Sequence, residues 1–186
     1  MLDERSIQQS SNIIKELIRE GKIVKPSPKT KDFFLKQSEK TLLVAQKLLE
    51  IQVKEQIDTN LWIINTSYYS MFFAATSLLA HYGRKLDFGQ GIHKATYHAL
   101  VHYFVKEDSK LKRQLAEEYA KAVSDVEQTL QLGEEKIKEL LTNLDFELTK
   151  RKTFTYEIEE DASKNKAITS LERAKNFLTE IKKIIK

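Results

Sequence analysis

The sequence contains no cysteine and very little glycine or proline: its 186 residues include 5 glycines and 2 prolines. Without cysteine there is no disulfide, no thiolate nucleophile and no zinc or iron–sulfur site that depends on cysteine ligands. Sandwiches and barrels need a turn every ~8–12 residues, commonly built on glycine or proline. Doubly wound folds need glycine where the backbone meets phosphate. The scarcity of both residues therefore predicts a few long helices.

Long apolar runs and a dominant charge are also missing. The longest apolar stretch, Met71 to Ala80, is interrupted by Thr76 and Ser77 and falls well short of the ~20 residues of a membrane-spanning helix. The first residues lack the basic and then apolar order of a signal peptide. Basic residues number 31 and acidic residues 27, a net charge of +4 that permits an acidic partner without requiring nucleic acid. We expect a cytoplasmic protein that does not enter a membrane.

Apolar residues recur at helical spacing along most of the chain. The segments with this spacing are approximately 32–55, 59–83, 93–105, 111–148 and 164–185. The longest has apolar steps that alternate between three and four residues, as in the seam of a bundle, with Gly133 on that seam. Residues 149–163 lose the pattern and predict a loop with an acidic second half. The pattern predicts an all-α fold, an antiparallel up-and-down bundle of four to five helices.

The first 28 residues look like an addition to this bundle. Ile7, Ile14 and Leu17 lie near one face of a short amphipathic helix. A basic segment with Pro26 and Pro28 follows, and proline disfavours helix both at its own position and at the preceding residue. We therefore divide the chain into an N-terminal helix with a basic proline linker over 1–28 and a helical bundle over 29–186.

Three of the four histidines cluster, at His93, His98 and His102. His98 and His102 are four residues apart and share a helix face, which is a spacing that metal sites use. The segment lacks the glutamate of the zinc-protease motif, and no third ligand is evident. We therefore predict no metal and no other cofactor. The alternatives are a histidine beside a polar groove and histidines that serve only the structure.

Two further segments are candidates for a site. Around Asn65, small residues at Ser67, Ser70, Ala74 and Ser77 predict close approach of a neighbouring helix, and a polar amide beside an aromatic core usually makes specific hydrogen bonds. The second segment is Lys150-Arg151-Lys152 followed by Thr153-Phe154-Thr155-Tyr156. Its cations and aromatic rings suit phosphate and base binding. Charge alone favours the simpler interpretation, in which the cations complement the dipole of the preceding helix.

In their order and spacing these segments resemble the HEPN family (higher eukaryotes and prokaryotes nucleotide-binding domain). The similarity covers nearly the whole chain. Its components are Glu20-Gly21-Lys22-Ile23, Asn65-x-x-Tyr68-Tyr69-x-Met71-Phe72 with Ala74-Ala75 and Leu78-Leu79, Tyr97-His98-Ala99-Leu100, Arg151-x4-Tyr156, and Ala174-x-x-Phe177-Leu178.

The resemblance implies a helical bundle that dimerises, with two arginine motifs facing across a cleft. Many members of the family are metal-independent ribonucleases, often toxins paired with a minimal nucleotidyltransferase antitoxin. In those members an arginine steadies the phosphate, and a histidine separated from it by four to six residues acts as acid and base. Carried onto this chain, the resemblance makes Arg151, Tyr156, Asn65 and His98 the candidate catalytic residues. It makes Lys150, Arg151, Lys152 and Tyr156 the candidate nucleotide- or RNA-binding residues.

The chain departs from the ribonuclease motif because Tyr156 stands where the histidine is expected. A tyrosine, with a pKa of about 10, is a poor base at neutral pH. We therefore expect a dimeric HEPN-like binding module in a toxin–antitoxin type system, which associates with a nucleotidyltransferase partner, a nucleotide or RNA without cutting. The alternative is a metal-independent RNA endonuclease that uses Arg151 with Tyr156, Asn65 or a histidine from the third helix of the bundle, His98 first.

Overall fold

The computed structural model describes residues 2–87, 89, 91–107, 111–128 and 156–185, with the side chains of the last segment described from Ser163 onward. The fold is an all-α helical bundle, as predicted. Its helices are α1 Glu4–Arg19, α2 Thr30–Glu55, α3 Asn60–His81, α4 Ile92–Leu100, α5 over 113–128, and α6 Tyr156–Ile185. A π-helix, Val101–Glu107, continues α4, and two short strands, β1 Ile23–Val24 and β2 Lys85–Leu86, pair antiparallel.

Helix α3 is the centre of the bundle and packs against α2, α4 and α6. Its contact with α2 is made by small residues, as the sequence predicts. The Ser38 hydroxyl donates to the Ser70 carbonyl oxygen at 2.8 Å, and the Ser70 hydroxyl donates to the Ser38 carbonyl oxygen at 2.9 Å. About two turns further along α3, the Ser77 hydroxyl donates to the Lys31 carbonyl oxygen. These contacts set α2 and α3 antiparallel, and every hydroxyl in them is satisfied although it is buried.

Helices α5 and α6 complete the core on the other side of α3. The rings of Tyr119 and Phe177, both fully buried, lie 5.8 Å apart between these two helices. At their edge, the Arg173 guanidinium donates to the Asp125 carboxylate at 2.8 Å. Further buried residues on α6 recur at three- and four-residue spacing: Ala167, Leu171, Ala174, Leu178, Ile181 and Ile185. This apolar stripe confirms the predicted amphipathic character of the last helix.

The N-terminal helix is packed onto the bundle, where it contacts α4 and the π-helix. Its N-cap is Asp3, whose carboxylate accepts a hydrogen bond from the Ser6 amide, and its residues Ile7 and Ile14 are buried in the core. The predicted linker after α1 is only partly a linker, because β1 within it pairs with β2. This small sheet ties α1 to the connection between α3 and α4.

The structure corrects three boundaries drawn from the sequence. The connection 84–91 contains β2, and the helix expected over 93–105 changes to a π-helix at Val101. The last helix begins at Tyr156, so the loop predicted up to residue 163 is helical over 156–163. Those residues lack an apolar stripe, but acidic residues are favourable in the first turns of a helix because they complement its dipole. The predicted seam around Gly133 and the loop over 149–155 lie outside the described residues.

Candidate functional site

One face of α3 is open toward solvent and carries part of the segment that resembles the HEPN family. Trp62, Asn65, Tyr69 and Phe73 follow one another at three- or four-residue spacing, which places them on one side of the helix. Trp62 is 61% exposed and Tyr69 41% exposed, unusually high values for large aromatic side chains. We call these four residues the outer face of α3.

Asn65 does not form the hydrogen bonds expected of it. The side chain is half-buried on the outer face of α3, and no hydrogen bond joins it to another described residue. Asn65 lies beside aromatic residues of α3, as predicted. Among the described residues its amide does not help to hold the bundle together.

His93, at the start of α4, adjoins the outer face of α3. Its ring centroid lies 4.6 Å from that of Phe72, 5.4 Å from that of Tyr68 and 6.0 Å from that of Tyr69. Its Nδ1 is buried and has no hydrogen-bond partner among the described residues. Burial lowers the pKa of His93, and the nearby Glu127 carboxylate only partly opposes this, so the imidazole is neutral at pH 7.

Behind His93, the phenols of Tyr68 and Tyr119 meet in the interior of the bundle. Their ring centroids are 6.3 Å apart, and their hydroxyls, although near each other, lack a hydrogen bond of ordinary geometry within the described residues. Burial raises the pKa of both phenols, so both hydroxyls stay protonated. They are possible hydrogen-bond donors and not bases.

His98 has quite different surroundings, although it is only five residues further along α4. Its Nδ1 lies 3.0 Å from the hydroxyl oxygen of Ser10, a buried residue of α1. That hydroxyl also donates to the Ser6 carbonyl oxygen at 3.0 Å. Burial lowers the pKa of His98, which is therefore neutral at pH 7. The sequence pattern identified the histidine, but it held no sign that α1 would supply its partner.

His102 belongs to the π-helix and is buried. Its Nε2 lies 3.3 Å from the Glu107 carboxylate, and its ring adjoins that of Tyr103, over which the Arg84 guanidinium is stacked at 3.9 Å. Burial lowers the pKa of His102, and the Glu107 carboxylate partly opposes this effect. The cations Lys106, Lys15 and Arg84 lower the pKa further. Among the described residues, no group of three or more potential metal ligands occurs.

The arginine segment falls outside the part of the chain that can be described. Lys150, Arg151 and Lys152 lie there entirely, and Tyr156 is described only as the first residue of α6. Lys164 lines a hollow with Asn60 at the start of α3, and Tyr156 precedes Lys164 by eight residues, roughly 12 Å of helix. The backbone of Tyr156 therefore lies beyond the end of the bundle where α2 joins α3.

His93 is the histidine of α4 that lies nearer to the end of the bundle where α2 joins α3. Helix α4 and the π-helix run along α3 in the same direction, with His93 beside Tyr68 and Phe104 beside Tyr82. His98 is thus further than His93 from the start of α3. Asn65 lies one helical turn before Tyr68 and Tyr69, whose rings adjoin that of His93. His98 lies on the side of α4 that faces α1 and α5.

No protein-family model matches this chain, and no curated protein matches it significantly. Within the described residues, no helix is both long and apolar enough to cross a membrane.

Proposed function

We propose that this protein is a HEPN-like binding module that forms a homodimer and associates with a minimal nucleotidyltransferase and with nucleotide or RNA, without cutting the RNA. The observation that carries the proposal is the outer face of α3, which carries part of the segment that resembles the family and presents exposed aromatic rings beside an amide that has no hydrogen-bond partner among the described residues. The family resemblance indicates the nucleotidyltransferase as the class of protein partner, and the exposed aromatic rings indicate the outer face of α3 as the binding surface.

The outer face of α3 has the composition of a protein interface. Trp62 and Tyr69 are exposed, and Leu61 beside them is 42% exposed. Helix α2, which packs against α3, also has exposed aliphatic residues, among them Val44 and Ile51. Tryptophan and tyrosine are enriched at the energetic centres of interfaces, and clustered exposed apolar residues mark interaction surfaces. A second copy of the chain is the proposed occupant, because the resemblance implies dimerisation.

Binding of nucleotide or RNA is assigned to the edges of this surface and to the segment 150–156. Aromatic faces bind bases by stacking with little dependence on sequence, and cations hold the phosphates. The binding role is favoured over catalysis because the position after Arg151 that would carry a histidine is Tyr156, and His93, the histidine beside the outer face, is enclosed by rings. The alternative is a metal-independent endonuclease that uses Arg151 with Tyr156 or with His98 or another α4 histidine.

The first experiment measures mass in solution for the wild type and for Trp62→Lys, with Ile168→Lys as the control. Both positions are exposed and apolar, but Ile168 lies on α6. We expect a dimer for the wild type and Ile168→Lys, and a monomer for Trp62→Lys. A monomeric wild type would contradict the proposed dimer.

The second experiment incubates single-stranded RNA with wild-type protein and with Arg151→Ala in the presence of EDTA. We expect wild type to retain the RNA in a gel shift and to leave it intact, and Arg151→Ala to retain less. RNA cleavage that disappears in Arg151→Ala would replace the binding role with the endonuclease alternative. Co-purification with a co-expressed minimal nucleotidyltransferase tests the protein partner.

A further inference from the structure

A slot between α4 and α5, away from the outer face of α3, is not used by the proposed dimer. Its volume is about 280 Å³. One wall is formed by the adjacent rings of Tyr97 and His98, whose centroids are 5.2 Å apart, and the other wall by the small apolar side chains of Ala120 and Val123. Because the side chains on the α5 wall are small, the slot leaves room for a planar molecule beside the rings of the α4 wall. The volume is at the lower end of the roughly 300–1,000 Å³ typical of ligand pockets, so a small occupant is favoured.

His98 enters this slot as an oriented hydrogen-bond acceptor. The Ser10 hydroxyl has a single hydrogen, which it donates to the Ser6 carbonyl oxygen as helical serines commonly do. Its oxygen is then an acceptor, so we assign the hydrogen of the neutral imidazole to Nδ1, which donates to Ser10 Oγ. Nε2 is left with its lone pair. His98 is half-buried and lines the slot, and its Nε2 makes no hydrogen bond within the described residues.

The charges at the mouth of the slot cancel. The Lys94 ammonium lies 3.1 Å from the Glu127 carboxylate, and both residues line the slot. A phosphate would approach Lys94 only by displacing or adjoining a carboxylate, which is unfavourable. The slot thus matches an uncharged planar ring that donates an N–H to His98 Nε2, and it does not match the charged end of a nucleotide.

We propose that the slot between α4 and α5 binds a single nucleobase, which stacks against the Tyr97 ring and donates a hydrogen bond to His98 Nε2 from beside the imidazole, whose plane is tilted by 58° from that of Tyr97. The choice of a nucleobase among planar nitrogen heterocycles rests on the proposed function in RNA or nucleotide association. His98 is then a ligand-binding residue and not the base of a cleavage reaction. Ser10 is a positioning residue that sets the tautomer of His98.

The test uses the full chain, labelled with ¹⁵N, and titrates it separately with adenosine, cytidine and uridine while amide chemical shifts are recorded. These nucleosides carry no phosphate, so they probe the slot itself. We expect at least one to shift the signals of Tyr97, His98, Ala120 and Val123 with a dissociation constant on the order of 1 mM, as suits one stacked base. The corresponding 5′-monophosphate should bind no more tightly than its nucleoside.

Ser124→Phe is the slot-filling variant, because Ser124 lines the slot but is exposed, so that the fold tolerates a larger side chain. Gln114→Phe, an exposed position of α5 outside the slot lining, is the matched control. His98→Gln removes the ring and should weaken binding roughly tenfold, equivalent to one net hydrogen bond. We expect saturable shifts in the wild type and Gln114→Phe, and none in Ser124→Phe.

The results separate this inference from the proposed function. Absence of shifts with every nucleoside, or shifts that persist in Ser124→Phe, would overturn the slot as a nucleobase site. Shifts confined to Trp62 and Tyr69 would also overturn it, while leaving RNA binding at the outer face of α3 intact. If the slot binds a nucleoside but the protein neither dimerises nor retains RNA, the slot stands and the proposed function fails.

Discussion

His93 and His98 are five residues apart on the same short helix, yet His93 is surrounded by aromatic rings, whereas His98 lies beside a serine hydroxyl. His93 faces α3 and is surrounded by the rings of Tyr68, Tyr69 and Phe72, with its buried Nδ1 unpartnered among the described residues. His98 faces α1 and α5, its Nδ1 lies beside the Ser10 hydroxyl, and its Nε2 makes no hydrogen bond within the described residues. Five residues correspond to about 140° around a helix, which is enough to move a side chain from one interface to another. The neighbours, and not the spacing, decide what each histidine can do.

The largest loss of stability is expected from a substitution among the aromatic rings that surround His93. Phe72 is buried and lies closest to the His93 ring, so Phe72→Ala removes both the packing and the wall of this enclosure. We expect the free energy of unfolding, measured by urea denaturation, to fall by roughly 3–5 kcal/mol.

Phe33→Ala is the matched control because Phe33 is more than half exposed and undergoes the same chemical change. Its expected cost is within about 0.5 kcal/mol. Equal costs for the two variants would show that the rings around His93 do not form a packed enclosure.

A smaller effect is expected on the His98 side. Ser10→Ala leaves His98 Nδ1 without its acceptor, and the loss of one partner of a buried hydrogen bond costs about 1–3 kcal/mol. The specific readout is the pair of ¹⁵N shifts of the imidazole. In the wild type they should report a hydrogen on Nδ1 of His98, and in Ser10→Ala a mixture of tautomers.

The ¹⁵N shifts of His93 serve as the internal control in the same spectra, since no contact links Ser10 to His93 in the described residues. An unchanged tautomer of His98 in Ser10→Ala would show that Ser10 does not orient it.

The smallest effect is the pH dependence of stability that the histidines of α4 and the π-helix produce. The pKa values of His93, His98 and His102 are lowered by burial, so the unfolded chain binds protons more readily than the fold does. Stability is therefore complete above the unfolded histidine pKa of about 6.5 and declines as the pH falls below it toward the folded values.

The carboxylates of Glu127 beside His93 and Glu107 beside His102 oppose this decline, whereas the cations Lys106, Lys15 and Arg84 around His102 add to it. At His98, no charged group among the described residues offsets the effect of burial on the pKa. In urea melts at pH 7 and pH 5, His98→Gln should show a smaller loss of stability than the wild type. The same loss in both proteins would mean that His98 does not titrate differently in the folded and unfolded states.

Much of the fold follows from local pattern, and little of the site does. The helical segments, the small-residue contact at Ser70 and the buried stripe of α6 follow from residue spacing, which is a short-range property. The π-helix at Val101 and the pairing of β1 with β2 do not, because they depend on contacts between segments distant in the chain. The predicted roles of Arg151 and Tyr156 stay predictions, since their side chains lie outside the described residues.

By itself the sequence determined an all-α bundle, because seven glycines and prolines in 186 residues and apolar steps of three and four permit little else. It also identified Asn65 as a polar amide beside aromatic residues, and His98 as one of three clustered histidines. Only the tertiary structure decided which histidine meets the aromatic rings and which meets Ser10. A helix face is defined by local spacing, but the identity of what covers that face is set by the packing of helices that are far apart in the chain.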